Sequence, residues 1–255
     1  MTYIHTEKRG YVLLITIDRP DARNAFNRQM ALDLESALDD YEADPALRVA
    51  ILQAKGPVFC SGQDLKAAAK GEFSASHHRG GFGIMAKPPE KPLMAAVEGQ
   101  VLAGGMEITL CCDLIIASSA AVFGLAEAKR SLVATGGACF RLPRRLPYPI
   151  AMEMLLTAQT KSAEEMRQHG YVNRVVEPGG ALEAALAIAE IIAANGPLAV
   201  RLAKKIAWDA LAERWPESEA WDRQDEIVQP LLDSHDLKEG LAAFAEKRPA
   251  VWLGR

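Results

Sequence analysis

Two glutamates lie 20 residues apart in a stretch whose other residues are mostly apolar, small or glycine. The stretch is "VEGQVLAGGMEITLCCDLIIASSAAVFGLAEAK" (97–129), and the two glutamates are Glu107 and Glu127; a third, Glu98, lies at its start. An unpaired carboxylate is costly in apolar surroundings, so a pair of them suggests a task. Two carboxyl groups that face one substrate can take a proton from one atom and give a proton to another. The pair is therefore a candidate for general acid–base chemistry.

Two glycine-containing turns lead from predicted strands into predicted helices. They are "CSGQDL" (60–65) and "AGGME" (103–107). The first backbone N–H groups of a helix have no partner inside the helix, and glycine lets other groups approach them closely. Two such turns together can bind a developing oxyanion, and the best donors are the N–H groups of Gln63 and Gly104. We expect glycine at position 104 because a side chain there would block the substrate oxygen.

Each feature also has a purely structural interpretation. Strand–glycine–helix turns are common in α/β proteins. Glu107 would complement the helix dipole, and Glu127 would serve equally as an exposed surface acid. Neither turn fits the G-x-G-x-x-G or P-loop pattern. Ser61 does not lie in a G-x-S-x-G motif, so we exclude it as a hydrolase nucleophile.

The elements that position these residues alternate between strand and helix over roughly the first 180 residues, which predicts an α/β core. Apolar runs predict strands over 11–18, 48–54, 93–98, 114–117, 121–123 and 171–176. Helix patterns cover 27–44, 102–112, 147–157 and 162–170. From residue 181 onward the chain is almost all helical, with breaks expected at the prolines 197, 216, 230 and 249. Residues 71–92 show no clear period, which predicts a mobile loop with a short helix.

Composition limits the classes of function. The chain has 255 residues, enough for one large domain or one domain with an appendage. The net charge is −4 and the pI is about 5.8, so no nucleic-acid partner is expected. We also expect no membrane span, because no apolar run approaches about 20 residues, and no signal peptide, because the first ten residues are polar.

Cysteine and histidine positions predict no metal site. His77 and His78 lack a third ligand, which favours a flexible surface pair. The four cysteines match no zinc-binding spacing, and their mostly apolar context predicts buried, reduced thiols, typical of a cytoplasmic protein: Cys60, Cys111, Cys112 and Cys139.

The combination of two turns and two acids resembles the crotonase family, the enoyl-CoA hydratases and isomerases. The resemblance covers essentially the whole chain, and its most specific motif is "VEGQVLAGGMEITLCCDLIIAS" (97–118). Further matching segments are "RPDARNAFNRQM" (19–30), "GPVFCSGQDLK" (56–66), "FGLAEAK" (123–129), "GGACFRLPRRLP" (136–147), "YVNRVV" (171–176) and "FAEKRPAVWLGR" (244–255). "LAEAK" and "RLPRRLP" look most like the carnitinyl-CoA dehydratase branch.

The resemblance implies a fold, a substrate and an assembly. The fold is a spiral of ββα turns over residues 1–195, followed by a C-terminal helical region (196–255) that acts as a lid or in oligomerisation. The substrate is an acyl-coenzyme A thioester, so coenzyme A enters with the substrate and no separate cofactor is needed. Homotrimers, or hexamers made of two trimers, are the usual assembly in the family.

The resemblance also assigns catalytic roles. Gln63 and Gly104 match the two N–H donors of the oxyanion hole, and Glu107 and Glu127 match the two acid–base glutamates of the hydratases. By resemblance, Glu107 deprotonates the water that attacks Cβ, and protonated Glu127 gives a proton to Cα. Because many relatives with other chemistry keep only one glutamate or neither, the presence of both favours the addition of water to 2-trans-enoyl-CoA thioesters and its reversal.

Nine residues match family contacts to coenzyme A. The backbone at 23–25 would bracket the adenine and pantetheine, Lys66 would lie on the phosphate side, and the tail residues would meet the nucleotide, often that of a neighbouring subunit. For the lysines, a solvated surface charge is the alternative. The nine are Arg23, Asn24, Ala25, Gly62, Asp64, Leu65, Lys66, Phe244 and Lys247.

Departures from the family pattern fall on the expected wall of the acyl pocket. Ala126 stands where hydratases commonly carry proline, the run after Glu127 lacks its usual proline and looks one residue shorter, and Arg130 takes a place that is often apolar. They bear on the length and polarity of the acyl group. The alternatives are a Δ3-Δ2-enoyl-CoA isomerase, for which Glu107 is dispensable, a carnitinyl-CoA dehydratase-like enzyme, and a non-catalytic acyl-CoA binder.

Overall fold

The computed structural model describes residues 2–255. Its strands are β1 (Ile4–Arg9), β2 (Val12–Ile17), β3 (Val49–Ala54), β4 (Val58–Cys60), β5 (Leu93–Val97), β6 (Gln100–Leu102), β7 (Leu114–Ser118), β8 (Val122–Gly124), β9 (Thr160–Ser162) and β10 (Arg174–Val176). They form a six-stranded sheet of order β1-β2-β3-β5-β7-β10 and a four-stranded sheet of order β4-β6-β8-β9.

The helices are α1 (Arg28–Ala43), α2 (Leu65–Ala68), α3 (Gly104–Thr109), α4 (Ala138–Arg145), α5 (Tyr148–Thr157), α6 (Ala163–Gln168), α7 (Ala181–Ala194), α8 (Pro197–Glu213), α9 (Glu217–Leu232) and α10 (His235–Glu246). Two short 3-10 turns cover Pro20–Ala22 and Glu127–Arg130. The last four helices follow one another without an intervening strand, as the sequence predicts.

Successive ββα units explain why there are two sheets. β3 joins the larger sheet and β4 the smaller sheet before α2 begins, and β5, β6 and α3 repeat that order. β3, β5 and β7 pair in parallel, as do β4, β6 and β8. Because β4 and β6 are parallel neighbours, their carboxyl ends lie side by side and bring the two glycine-containing turns together. The predicted ββα spiral is confirmed.

The larger sheet is buried on both faces. Leu13, Ile15 and Ile17 of β2 belong to one apolar cluster with the inner face of α1, whereas Val12 and Leu14 belong to a second cluster. In that second cluster α7 contributes a row of buried alanines at four-residue spacing: Ala181, Ala185, Ala189 and Ala193. Strands covered on both faces appear in the sequence as continuous apolar runs, which is why β2 and β3 were readily predicted.

Some elements were not predicted. Every side chain of β1 after Ile4 is exposed, so this edge strand shows no apolar alternation. β6 and β9 have three residues each, too few to show a period. α4 contains Pro143 among several arginines, a composition that obscures a helix.

Two predictions are wrong. Residues 71–92 contain no helix; a bridge between Ala75 and Gly81 instead makes part of this loop a small hairpin. The break expected at Pro230 is also wrong, because α9 continues through it and ends at Leu232. A proline so close to a helix end removes one hydrogen bond without forcing the chain to turn.

No single helix within residues 2–255 is both long and apolar enough to cross a membrane. Only α7 and α8 taken together have the length and composition of a membrane span, and the chain bends by 107° between them.

Candidate active site

A cavity of about 1120 Å³ opens where the turn after β4, the turn after β6 and the 3-10 turn Glu127–Arg130 meet. Its wall includes Gln63, Gly104, Glu107 and Glu127. The fold therefore brings all four predicted catalytic residues to one space, although Gln63 and Glu127 are 64 residues apart in the sequence.

The turn after β4 is held from both sides and leaves one N–H free. Asp64 caps α2, because its Oδ1 accepts the N–H groups of Lys66 (3.0 Å) and Ala67 (3.2 Å). The backbone carbonyl of Phe26 accepts the N–H of Asp64 at 2.8 Å. Within residues 2–255 the N–H of Gln63 has no acceptor, so it is available to a ligand.

The turn after β6 carries backbone strain. Ala103 precedes α3 with φ 52° and ψ −126°, a conformation that residues other than glycine seldom adopt, and its N–H donates to the Gly124 carbonyl at 2.9 Å. A Cβ at Gly104 would lie 2.5 Å from the Cε2 and Cζ atoms of Phe82. Glycine is thus required there by the packing of an aromatic ring as well as by the access of a substrate oxygen. The Gly104 N–H has no acceptor in the described part of the chain.

Glu107 lies in the first turn of α3 and is buried, with 5% of its surface exposed. Its Oε1 accepts the N–H of Ala138 at 3.1 Å. Burial raises the pKa of Glu107 to about 7; the Ala138 N–H works against this rise, and the nearby charge of Glu127 adds to it. At neutral pH this carboxyl group is therefore close to half protonated, which suits a group that takes and returns protons.

Glu127 begins the 3-10 turn on the other side of the cavity. Its Oε2 atom is buried and has no hydrogen-bond partner among the residues described. Burial raises the pKa of Glu127, while its own backbone N–H and Arg130 oppose the rise. A buried and a half-buried carboxyl group in one cavity favour a state with one proton between them, because two close negative charges repel each other.

Gly136 and Ala138 are functional positions that sequence reasoning missed. A Cβ at Gly136 would lie 2.5 Å from Oε2 of Glu107 and would also contact the Met85 sulfur. The backbone at 136–138 therefore wraps the Glu107 carboxyl group and supplies the Ala138 N–H. The signal for this was present in the Gly-Gly pair of "ATGGA" (134–138), which allows a close backbone approach.

The predicted coenzyme A contacts are only partly in the cavity wall. Those in the wall are Arg23, Ala25, Asp64, Leu65 and Lys66. Asn24 is fully buried, and its side-chain amide donates to the carbonyls of Lys55 (2.9 Å) and Val58 (2.6 Å), so it holds the chain behind the wall. Gly62 is likewise absent from the lining.

Phe244 and Lys247 lie at the end of α10, outside this chain's own cavity. Phe244 is 87% exposed. A cation that sequence reasoning missed, Arg19, lines the cavity and binds Asp64 at 2.8 Å.

The fold and the cavity define the class of protein. A ββα spiral that presents two free N–H groups and two carboxyl groups of raised pKa to one cavity is an enzyme scaffold for acid–base chemistry beside a polarised carbonyl group.

Comparison with known proteins identifies the family. The family model described as enoyl-CoA hydratase/isomerase matches residues 7–255. An enoyl-CoA hydratase of Mycobacterium tuberculosis is 41% identical over 98% of this chain and 96% of that protein. A carnitinyl-CoA dehydratase of Proteus mirabilis is 39% identical over 99% of this chain and 98% of that protein.

Solved structures agree. The crystal structure of an enoyl-CoA hydratase from Mycobacterium tuberculosis H37Rv has a TM-score of 0.96 at 46% identity and covers both chains completely. This chain belongs to the enoyl-CoA hydratase/isomerase family, which confirms the crotonase resemblance, and it is an enzyme of the enoyl-CoA hydratase type, a lyase.

Proposed function

We propose that this enzyme adds water reversibly to 2-trans-enoyl-CoA thioesters, with Glu107 and Glu127 as the acid–base pair. The observation that carries the proposal is that both carboxyl groups line one cavity beside the free N–H groups of Gln63 and Gly104. An isomerase needs one acid–base group and no activated water. A second carboxyl group on the same cavity therefore favours hydration.

The two N–H groups polarise the substrate. The thioester oxygen accepts hydrogen bonds from Gln63 and Gly104, so negative charge can develop on it as an enolate. This polarisation makes Cβ of the enoyl group electrophilic and Cα basic. Because the N–H donors belong to turns fixed by the backbone, they need little reorganisation when charge develops.

The two carboxyl groups move the protons. Ionised Glu107 takes one proton from water as the water oxygen bonds to Cβ, and protonated Glu127 gives its proton to Cα. After the step Glu107 is protonated and Glu127 is ionised, so the pair still holds one proton. Dehydration reverses each transfer. Burial raises the pKa of both groups, and repulsion between two nearby negative charges favours one proton held between them.

Basic side chains support coenzyme A as the carrier. Arg19, Arg23 and Lys66 line the same cavity as the glutamates. Arginine and lysine are the side chains that most often recognise phosphate groups, so these three would meet the phosphates of the nucleotide.

We also propose a homotrimer or a hexamer of two trimers. Large apolar side chains in the C-terminal region are exposed, including Trp221 (64%), Leu241 (65%), Phe244 (87%) and Val251 (65%). Exposed apolar side chains of this size are typical of subunit interfaces. Because Phe244 and Lys247 lie outside their own cavity, their predicted role requires the cavity of a second copy. Light scattering after gel filtration measures the assembly, and a monomer would contradict this proposal.

A substrate panel tests the reaction. Wild-type enzyme is mixed with crotonyl-CoA, with longer and branched 2-enoyl-CoAs and with a 3-enoyl-CoA, and the conjugated enoyl-thioester absorbance is followed. Loss of absorbance with a 2-enoyl-CoA supports hydration. A gain of absorbance with 3-enoyl-CoA alone identifies an isomerase, and binding without any turnover identifies a binder.

A further inference from the structure

Glu35 is a buried carboxylate of α1 that the proposed reaction does not use. It is 4% exposed, and it accepts three consecutive backbone N–H groups from the loop 71–92: those of His77 (3.0 Å), His78 (2.9 Å) and Arg79 (2.8 Å). Burial raises the pKa of Glu35, but these bonds outweigh it and hold the pKa at about 2. The carboxylate therefore stays ionised and bound over the whole neutral range.

One helical turn further along α1, Asp39 holds the same loop. Its carboxylate accepts a hydrogen bond from the Nε–H of Arg79 at 2.8 Å. The Arg79 guanidinium is almost fully buried and also donates to the Lys87 carbonyl at 2.8 Å. The His78 ring lies 3.3 Å from Glu35 and 3.2 Å from Asp39. We call Glu35, Asp39, His78 and Arg79 the loop anchor. His77 and His78 are both exposed, as expected of a surface pair, while their backbone N–H groups are bound by Glu35.

The loop that is held in this way carries part of the cavity wall. Phe82 and Met85 both line the cavity. The Phe82 ring stacks on Phe26 with centroids 4.8 Å apart and planes 2° apart, and it lies against Gly104. The Phe82 N–H donates to the Ser74 carbonyl at 2.7 Å. This ring therefore covers the turn that presents one of the oxyanion donors.

Met85 reaches the other catalytic group. Its sulfur and Oε2 of Glu107 both lie against the same face of Gly136, where a Cβ would contact each of them. Met85 thus helps to shield the Glu107 carboxyl group from water. The loop touches the oxyanion turn through Phe82 and the surroundings of Glu107 through Met85.

We infer that Glu35 is a positioning residue for the catalytic centre, acting through Phe82 and Met85 by fixing the backbone of residues 77–79. The inference rests on the proposed function, in which Gly104 and Glu107 act on the substrate. Glu35 itself lies outside the cavity wall. Its effect on the reaction is therefore carried by the loop, and displacement of reacting groups by about 1 Å lowers rates by about 10²-fold.

The variant Glu35→Gln tests this role. Glutamine keeps one acceptor oxygen, but its NH₂ group faces N–H donors, so the loop anchor loses bonds. For hydration of crotonyl-CoA we expect kcat to fall about 10-fold to 10²-fold, with a much smaller change in KM because coenzyme A is held elsewhere in the cavity. The matched control is Asp33→Asn on the same helix, whose carboxylate contacts Thr2 and Gln29 and whose variant should match wild type.

The pH profile separates positioning from a loss of folded protein. A released loop lets water reach Glu107, so its pKa falls toward the ordinary value and the acidic limb of kcat/KM moves to lower pH. The groups that bear on Glu107 are Glu127, Arg141, Cys111 and Cys139, and Glu35→Gln alters none of them. Mere instability would lower the amount of active enzyme and leave the limb in place.

Amide hydrogen exchange and a second variant complete the test. In ligand-free enzyme, residues 77–79 should exchange faster in Glu35→Gln than in wild type. Met85→Ala should shift the same acidic limb, and the double variant should lose no more activity than the worse single variant, because the two act in one chain of contacts. If Glu35→Gln does not fold, the limb shift of Met85→Ala and the exchange protection of residues 77–79 in wild type decide.

Three results would overturn the inference: unchanged exchange at residues 77–79, a wild-type kcat and pH profile in Glu35→Gln, or additive losses in the double variant. A wild type that turns over no enoyl-CoA instead overturns the proposed function, whatever the exchange of residues 77–79. The two failures are therefore distinguishable.

Discussion

Replacing Gly136 with alanine should damage catalysis through a single methyl group. The added Cβ would lie 2.5 Å from Oε2 of Glu107, about 0.9 Å closer than the 3.4 Å at which ordinary contact begins, and it would also contact the Met85 sulfur. Either the carboxyl group moves by about that distance or the 136–138 backbone shifts and weakens the Ala138 bond. A displacement of about 1 Å corresponds to a loss of about 10²-fold in kcat/KM, or about 3 kcal/mol of transition-state stabilisation.

The assay is hydration of crotonyl-CoA under initial-rate conditions, with thermal unfolding measured in parallel. The control is Gly196→Ala at the start of α8, outside the cavity wall, where the nearest atoms to a Cβ lie at the ordinary contact distances of 3.8 Å and 3.9 Å. This control should keep the wild-type rate. A Gly136→Ala enzyme with kcat/KM within about threefold of wild type would refute the assignment of Glu107 as a reacting group held by that backbone.

Three further predictions concern charge in the cavity. First, kcat/KM should fall as the pH drops below about 7, because protonation of Glu107 removes the base; a limb near pH 4.5 would contradict this. Second, the free energy of unfolding of wild type should fall as the pH rises from about 4.5 to about 7, because Glu107 stays protonated to a higher pH in the folded state than in the unfolded state. Glu107→Gln lacks this loss and should be more stable above pH 7 by up to about 3 kcal/mol in urea unfolding. Third, Arg130→Gln should raise the pKa of Glu127 further and move the basic limb of kcat/KM to higher pH, because it removes a charge that opposes the rise; Lys129→Gln is the control.

Parts of the fold with a strong local signal were predictable. The apolar face of α1 gave a clear helical period, and Asn27 caps that helix by accepting the Met30 N–H at 3.0 Å. Ser162 and Glu165 form the capping box that starts α6. The two glycine-containing turns were recognised only in combination with the two glutamates, because each turn alone is common in α/β proteins. The parallel pairing of β4 with β6 then places the two turns together.

Contacts between distant segments were not predictable in the same way. Nothing in the local sequence of Glu35 shows that it binds three N–H groups more than 40 positions away, and α1 looks like an ordinary amphipathic helix there. The strain at Ala103 has no sequence signal, because alanine seldom adopts this backbone conformation and the tertiary structure imposes it. The apolar neighbours of Glu107 and Glu127 made the two residues conspicuous in the sequence, but their degree of burial and raised pKa values depend on tertiary packing.

The most direct test of the two-carboxylate reaction is the kcat/KM of crotonyl-CoA hydration for Glu107→Gln, Glu127→Gln and the double variant. We predict that each single variant loses at least about 10²-fold and that the double variant loses little more than the worse single one, because the two groups act as a unit. A Glu107→Gln enzyme that hydrates crotonyl-CoA at close to the wild-type rate would contradict the proposed function.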